Sequence, residues 1–180
     1  ITEHSAEHLA KMNCLRFNIG IEHGNPKFRN EILKRRVSNE KTIESFQFAA
    51  KYSDVYTCVA NNIIGLPTEN PELVFDTIEL SRSLPDETIT GGAYIFIPYH
   101  GTPLRQLAID KKYIDSDLVC TESSNTSGSS LLRMPQFPSD EIDSFMKVFS
   151  FYVKFPKNRW KEIEIAKQND DEGKRVFEDL

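Results

Sequence analysis

The chain has 180 residues, of which 39% are hydrophobic and 27% are charged, and its 22 basic and 27 acidic side chains give a net charge of −5. This length and balance predict one folded unit, exclude a disordered chain and argue against a general nucleic-acid binder, because phosphate binding needs many basic side chains. No apolar run approaches the length of about 20 residues that spans a bilayer, so we expect a cytoplasmic protein without a membrane span.

The first predicted strand covers residues 15–22, in which apolar and polar residues alternate. Its polar face carries Asn18, Gly20 and Glu22. A buried carboxylate without a partner is too costly to keep in a dry core. We therefore expect this face of the strand to be exposed to water or to contact a ligand.

Two further strands are predicted, with helices between and after them. The second strand is predicted over residues 55–65 and the third over residues 93–97, after a loop at residues 86–92. The strand starts near residues 15, 55 and 93 are 40 and 38 residues apart, and this regular spacing favours parallel strands joined by helical crossovers. The predicted helix starts lie at Asn25-Pro26, Ser38 or Asn39, Asn70-Pro71, Thr102-Pro103 and Ser139.

The chain divides into three predicted segments. Residues 1–118 form the parallel α/β part, and residues 119–138 form a link, because seven of the ten residues at 121–130 are Ser or Thr. Residues 139–180 form a C-terminal helical extension. In this extension we expect an amphipathic helix capped by Ser139, a charged helix from near Lys157 and a frayed end at residues 169–180.

Candidate ligand-binding residues lie where the predicted strands end, because parallel βα units bind ligands at the carboxyl ends of their strands. The three strand ends are residues 20–24, 61–69 and 98–103. We interpret Glu22 as a cofactor or substrate contact, with a structural pairing to Arg16 or a loop amide as the alternative. We interpret Glu69 as structural, bonding the amides of its own turn. In the basic run at residues 34–36, one member could reach an anionic group near Glu22.

Histidines and cysteines give weaker signals. His23 and His100 lie in strand-end loops and have no metal-binding partner at helical spacing. His4 and His8 are four residues apart on the first predicted helix, a geometry that could bind a metal, but without a third ligand we interpret them as part of a solvated helix face. The cysteines have neither disulfide nor metal-ligand spacing, and we expect Cys14 and Cys58 to be small apolar residues on buried strands. The three cysteines are Cys14, Cys58 and Cys120.

Three motifs follow one another at the strand ends. They are Ile-Gly-Ile-Glu-His-Gly-Asn at residues 19–25, Asn-Asn-Ile-Ile-Gly-Leu-Pro-Thr-Glu at residues 61–69, and Phe-Ile-Pro-Tyr-His-Gly-Thr-Pro-Leu at residues 96–104. In this order and spacing they resemble strands four to six of the radical S-adenosylmethionine superfamily, and more narrowly of members with a cobalamin-binding domain. The resemblance implies that residues 1–118 are the second half of a partial (βα)6 TIM-like barrel. One departure is Asn61, which stands where the family's fifth-strand pattern has a glycine.

The resemblance also implies that S-adenosylmethionine binds inside the strand ends. By motif position, Glu22 and Asn61 would contact the ribose or the amino acid part, and Arg35 would pair with the methionyl carboxylate. The residues that would pack against adenine are Ile63, Gly65, Ile97 and Pro98. The full set of implied cofactor contacts is Gly20, Glu22, Arg35, Asn61, Ile63, Gly65, Ile97 and Pro98.

The same family uses a [4Fe-4S] cluster to cleave S-adenosylmethionine to a radical, which then attacks a substrate that the sequence does not identify. The resemblance therefore implies an electron donor such as flavodoxin or ferredoxin. The Cys-x-x-x-Cys-x-x-Cys loop that holds the cluster is absent from the sequence, which begins without a Met. We therefore interpret the chain as the carboxyl half of a larger enzyme, inactive alone, with the cluster and any cobalamin domain upstream.

Two alternatives stay open. The chain could belong to a TIM-barrel hydrolase, lyase or isomerase that uses Glu22 as a general acid or base, and a Glu with a raised pKa would favour this function. It could also be a non-catalytic binding module derived from a barrel. A lack of affinity for S-adenosylmethionine would favour that second alternative.

Overall fold

The chain folds into alternating strands and helices. A computed structural model describes residues 1–120 and 129–180, and the Ser-rich tract at residues 121–128, predicted as part of a link, lies outside the described residues. Within these two ranges, no helix has both the length and the apolar character that crossing a membrane requires. The strands are β1 (Arg16–Glu22), β2 (Thr57–Ile64) and β3 (Ile89–Ile95). The helices are α1 (Glu3–Lys11), α2 (Pro26–Glu31), α3 (Asn39–Ala50), α4 (Pro71–Arg82), α5 (Pro103–Asp110), α6 (Ser139–Lys154), α7 (Trp160–Ala166) and α8 (Asp171–Asp179). A 3-10 turn at Lys157–Arg159 precedes α7.

The three strands form a parallel sheet in the order β1-β2-β3. Helices α2 and α3 lie between β1 and β2 in the chain, and α4 lies between β2 and β3. The predicted class, α/β with parallel strands and helical connections, is therefore confirmed for the part of the chain that the structure describes. The sheet is consistent with part of a barrel of βα units.

The two faces of β1 differ as the alternation predicts. Phe17, Ile19 and Ile21 belong to an apolar cluster that includes Phe46 of α3. Asn18, on the opposite face, is exposed. One side of the strand is thus covered by helices while the polar side is open.

Helix α6 packs against β3 and α4 and completes a second, larger apolar cluster. Val74 and Ile78 of α4 share this cluster with Phe145 and Phe149 of α6. At the end of α4, Arg82 donates from Nη1 to three carbonyl oxygens at the end of α6, at distances of 2.6 to 2.9 Å. The C-terminal helices are therefore built into the same core as the sheet.

The helix starts follow the capping signals at four of the five predicted sites. In each of the four, the cap side chain accepts a hydrogen bond from the backbone N–H three residues further on, which satisfies a donor that the helix leaves unpaired. The four confirmed N-caps are Asn25, Ser38, Asn70 and Thr102. At the fifth site, the N-cap is Pro138, and Ser139 is the first residue of α6 without a side-chain capping bond.

Three other sequence predictions are wrong. Strand β3 begins at Ile89 rather than residue 93, because Ile89 and Thr90 already pair with β2 through their backbones in a stretch whose glycines suggest a loop. Leu15 lies before β1 and is 83% exposed, so it does not join the apolar face. The end of the chain is not frayed: Asp170 caps α8 by accepting from the Gly173 amide at 2.7 Å, and Phe177 packs on the larger cluster.

The packing of α6 predicts a large loss of stability when its buried aromatic face is truncated. Phe149 is fully buried, so Phe149→Ala should lower the free energy of unfolding by about 3–5 kcal/mol through lost burial and the cavity left behind. Leu15→Ala, at an exposed site, should change it by less than about 0.5 kcal/mol. Urea unfolding followed by circular dichroism measures both values. A cost below about 1 kcal/mol for Phe149→Ala would contradict the docking of α6 on the sheet.

Candidate cofactor-binding site

The end of β1 is a strained turn that places a carboxylate on the open face of the sheet. The pairing of β1 with β2 shifts register between Gly20 and Glu22, and Glu22 has a left-handed φ of 66°. A Cβ added to Gly20 would lie 2.3 Å from Oε1 of Glu22. Glycine at this position therefore leaves the space over which the carboxylate folds back.

Glu22 pairs with Arg35, which lies in the segment after α2. Nη1 of Arg35 donates to Oε1 of Glu22 at 2.7 Å, and the side chains are 44% and 25% exposed, respectively. This contact replaces the alternative pairing of Glu22 with Arg16. Gly20 and Arg35 also line a cavity of about 170 Å³ beside β1.

Asn61 lies next to this pair on the neighbouring strand. It is the register partner of Gly20, and paired residues on adjacent strands point to the same face. Its Oδ1 is buried and has no hydrogen-bond partner among the described residues. Buried polar atoms are nearly always paired, so this oxygen is a candidate for bonding a ligand.

A larger cavity of about 570 Å³ lies at the edge of the sheet, around β3 and the segment that follows it. Ile63 and Ile97, two of the predicted adenine contacts, line it, and Met146 of α6 lines it as well. The lining is mainly apolar, and its exposed part includes Tyr94 beside Ile63. The cavity suits a flat ligand group with little charge.

Two of the predicted contacts face away from these cavities. Gly65, with φ of 73°, faces α6, where a Cβ would lie 3.0 Å from Ile142. Pro98 is buried and its carbonyl oxygen accepts from Arg105 at 2.9 Å. The structure therefore groups Gly20, Glu22 and Arg35 at β1, Ile63 and Ile97 at the larger cavity, and Asn61 on the strand between them.

A buried histidine and glutamate join the two strand-end loops behind the open face. Nε2 of His23 lies 3.1 Å from Oε1 of Glu69, and both side chains are fully buried. Nδ1 of His23 accepts from the Asn25 amide at 3.0 Å, so the ring proton lies on Nε2, the nitrogen that is close to the carboxyl group. Oε2 of Glu69 accepts from the Leu66 amide at 3.0 Å, as expected for a residue that bonds its own turn.

The environment of Glu69 shifts its titration. Burial raises the pKa of this carboxyl above its ordinary value of 4.5, because the charged form loses its water. The His23 side chain and the amides of Leu66 and Gly65 oppose that rise by stabilising the charged form. The net shift of the pKa of Glu69 is upward.

Arg29 is a buried residue that sequence reasoning missed. Its guanidinium donates to the carbonyl oxygens of His23 at 2.6 Å and Val37 at 2.5 Å, and to Oδ1 of Asn39 at 2.8 Å. Burial, with a smaller contribution from Arg35, lowers the pKa of its guanidinium below the ordinary value. No short-range signal in the sequence separates Arg29 from a surface arginine of α2, because its partners lie on three different elements.

The cysteines do not provide an iron–sulfur site. Cys58 is buried in β2, as predicted, but Cys14 is only half-buried and lies before β1, so the prediction is wrong for Cys14. Burial raises the pKa of the Cys58 thiol to about 11, which disfavours the thiolate that binds metal. Among the described residues, Cys14, Cys58 and Cys120 do not come together as a set of metal ligands. The residues of this chain therefore do not fit a [4Fe-4S] cluster. His100, the other histidine of a strand-end loop, is exposed and lines neither cavity described above.

A comparison with protein families matches residues 1–81 to the model described as the radical SAM superfamily. The match supports this superfamily, which binds S-adenosylmethionine and usually a [4Fe-4S] cluster, and it suggests an enzyme. It spans β1, β2 and nearly all of α4, and hence contains Glu22, Arg35 and Asn61. The motif at residues 96–104 lies beyond it. No curated protein matches the chain.

The burial of Glu69 predicts a pH dependence of stability. Because the folded carboxyl holds its proton to a higher pH than the unfolded one, folding takes up a proton above pH 4.5, and stability falls as the pH rises towards the raised pKa. Glu69→Gln removes this titration. The wild-type free energy of unfolding, minus that of Glu69→Gln, should therefore decline as the pH rises through this window. The total decline is about 1.4 kcal/mol for every tenfold difference between the acid dissociation constants of the folded and unfolded carboxyl groups.

Urea unfolding at a series of pH values measures this difference. Glu72→Gln, at an exposed position of α4, is the matched control and should leave the wild-type pH dependence in place. A difference that rises with pH for Glu69→Gln would mean that folding stabilises the carboxylate, which is the opposite of the expected sign.

Proposed function

We propose that this chain binds S-adenosylmethionine on the open face of its sheet, as the segment of a radical SAM enzyme that corresponds to barrel strands four to six. The observation that carries the proposal is the Glu22–Arg35 pair folded over Gly20, within the region that matches the superfamily. In this assignment the three residues hold the amino acid part of the cofactor. Ile63 and Ile97 receive the adenine.

The charges at β1 match those of an amino acid. The methionyl part of S-adenosylmethionine carries an ammonium and a carboxylate on one carbon atom, and Glu22 and Arg35 offer a carboxylate and a guanidinium in contact with each other. An arginine fork suits a carboxylate because it donates two parallel hydrogen bonds. We therefore assign the ligand carboxylate to Arg35 and the ligand ammonium to Glu22.

The adenosine part has matching features along β2. Asn61 and Ile63 are two residues apart on one strand, a spacing of about 6.6 Å, and alternate residues of a strand point to the same face. The unpaired Oδ1 of Asn61 can accept from a ribose hydroxyl, and the apolar lining near Ile63 can cover a base. Gly65 and Pro98 do not line the cavities, so in this assignment they shape the backbone beside the ligand.

The reductive chemistry of the superfamily needs a cluster that the three cysteines of this chain do not fit. The assignment is therefore to cofactor binding, and the electron donor and the small-molecule substrate belong to the complete enzyme. The match gives cobalamin no support. What the residues of this chain contribute is binding and orientation: they fix the two ends of the cofactor on one face of a rigid sheet.

The hydrolase alternative finds weaker support in the geometry. A general acid or base must reach a substrate, and among the described residues the carboxyl group with a clearly raised pKa, Glu69, is fully buried. Glu22 is accessible, but Arg35 already pairs with its carboxylate. The remaining alternative, a binding module without catalysis, shares the same site, and a lack of affinity for S-adenosylmethionine would favour it.

The assignment predicts a specific loss of affinity when Arg35 is neutralised. Arg35→Gln should weaken binding of S-adenosylmethionine by about 10- to 100-fold, the loss expected for a charge-assisted hydrogen bond. Arg36→Gln, at the adjacent exposed arginine, is the matched control and should change affinity by less than about threefold after correction for net charge. Isothermal titration calorimetry measures both.

Competition locates the affected part of the ligand. Free methionine should displace S-adenosylmethionine from the wild type and lose this ability in Arg35→Gln, whereas adenosine should compete equally well with both. Circular dichroism verifies that the variants are folded. No binding by the wild type, or equal losses in the two arginine variants, would refute the assignment.

A further inference from the structure

Three potential metal ligands lie together on one exposed face of α1. His4, Glu7 and His8 occupy positions i, i+3 and i+4, which are neighbours on a helix surface. One ligand atom from each lies within 4.8 Å of the others. The third ligand that the histidine pair lacks in the sequence analysis is thus Glu7. We propose that these three side chains bind a divalent transition-metal ion such as Zn²⁺.

The hydrogen bond of His8 prepares its ring for a metal. Nδ1 of His8 lies 2.9 Å from the carbonyl oxygen of His4, and because a carbonyl oxygen can only accept, Nδ1 must carry a proton. Nε2 is left as the nitrogen whose lone pair can bind an ion. Metal-binding histidines commonly donate their second ring nitrogen to a carbonyl or carboxylate, which fixes the tautomer and the ring orientation.

The helix that carries these ligands is held in place from both sides. Thr2 caps it by accepting from the Ser5 amide at 3.2 Å. The hydroxyl group of Ser45 in α3 donates to the carbonyl oxygen of Ile1 at 3.1 Å. Ala6, on the opposite side of α1, is fully buried. The ligands are therefore arranged on a preformed helix, and less conformational freedom is lost when an ion binds.

One competing contact has to be released. Lys11 lies 2.6 Å from Oε1 of Glu7, and both side chains are exposed to water. Exposed ion pairs contribute little to stability, so a divalent ion can take the place of the lysine ammonium at little cost.

The chemistry of the three ligands selects a class of ion. Two imidazoles and one carboxylate form a three-residue ligand set that Zn²⁺ uses, with water in the remaining position. Imidazole also suits Cu²⁺, Ni²⁺ and Co²⁺, whereas Mg²⁺ and Ca²⁺ prefer oxygen ligands alone. This surface lies on α1 and shares no residue with the proposed S-adenosylmethionine contacts.

Titration of the purified protein with Co²⁺ tests the proposal, because cobalt reports its coordination by visible absorption. We expect one Co²⁺ per chain, displaced by Zn²⁺, and Zn²⁺ that raises the unfolding temperature of the wild type. His4→Ala and His8→Ala should each weaken binding about tenfold or more, since loss of a direct ligand costs at least as much as loss of a supporting hydrogen bond. Glu7→Gln should weaken binding less, because the glutamine keeps an oxygen in place and loses only the negative charge that attracts the ion.

His100→Ala, at another exposed histidine, is the matched control and should bind the metal as the wild type does. The altered residues are exposed or half-buried at the surface, and unfolding without metal verifies that each variant folds. Absence of one-to-one binding would overturn the proposal. Binding that survives in the His4→Ala/His8→Ala double variant would place the ion on other ligands, such as the thiols, and would overturn it as well. Neither outcome depends on S-adenosylmethionine.

Discussion

One buried guanidinium holds the region around the candidate site together. The chain bends sharply at Glu22, and the carbonyl oxygen of the next residue, His23, is buried and accepts from Arg29, as does the carbonyl oxygen of Val37 in the segment before α3. Arg29 supplies both with hydrogen bonds and also binds Asn39 at the start of α3. Burying a charge is costly, and it is tolerated here because the guanidinium donates to three oxygens at once. Removing it would leave the buried carbonyl oxygen of His23 without this donor.

Arg29 also contributes to the candidate site through a backbone hydrogen bond. The Arg35 amide donates to the carbonyl oxygen of Arg29 at 3.1 Å, so the same residue that fixes the end of β1 also positions the segment that carries Arg35. His23 adds a second tie, to Glu69 in the loop after β2. Gly24 adds a third, because its amide donates to Thr77 of α4 and a Cβ there would lie 2.1 Å from a backbone oxygen. The loops of β1 and β2 therefore form one rigid unit, as a preformed binding site requires.

Local signals in the sequence predict local structure well. The N-caps at Asn25, Ser38, Asn70 and Thr102 are confirmed because each capping bond closes within three residues, and the alternation in β1 is confirmed because it depends on that strand alone. Strand β3 shows the limit of this reasoning. Strand β3 starts at Ile89 because Ile89 and Thr90 pair with β2, and no local property of that glycine-containing stretch reports a pairing partner 30 residues away.

The site is less predictable from sequence for the same reason. Glu22 and Arg35 stand out as individual charges, but their mutual pairing depends on the turn that Arg29 maintains, and Arg29 itself resembles a surface residue until its three partners are known. Glu7 is overlooked beside His4 and His8 because a glutamate on a charged helix is common. The unpaired oxygen of Asn61 depends on its neighbours in three dimensions and leaves no trace in the sequence.

The Glu22–Arg35 contact also bears on how a ligand would enter. Without a ligand the two charges neutralise each other, and both side chains keep partial access to water. Such a pair is weak, so separating it costs little, whereas an amino acid that inserts its ammonium and carboxylate restores two ion pairs in place of one. A ligand with only one of these charges would leave Glu22 or Arg35 without a partner. Under the proposed assignment, the resting ion pair therefore favours zwitterionic ligands over singly charged ones, and the loops behind it hold the backbone of the two residues in place while their side chains separate to admit such a ligand.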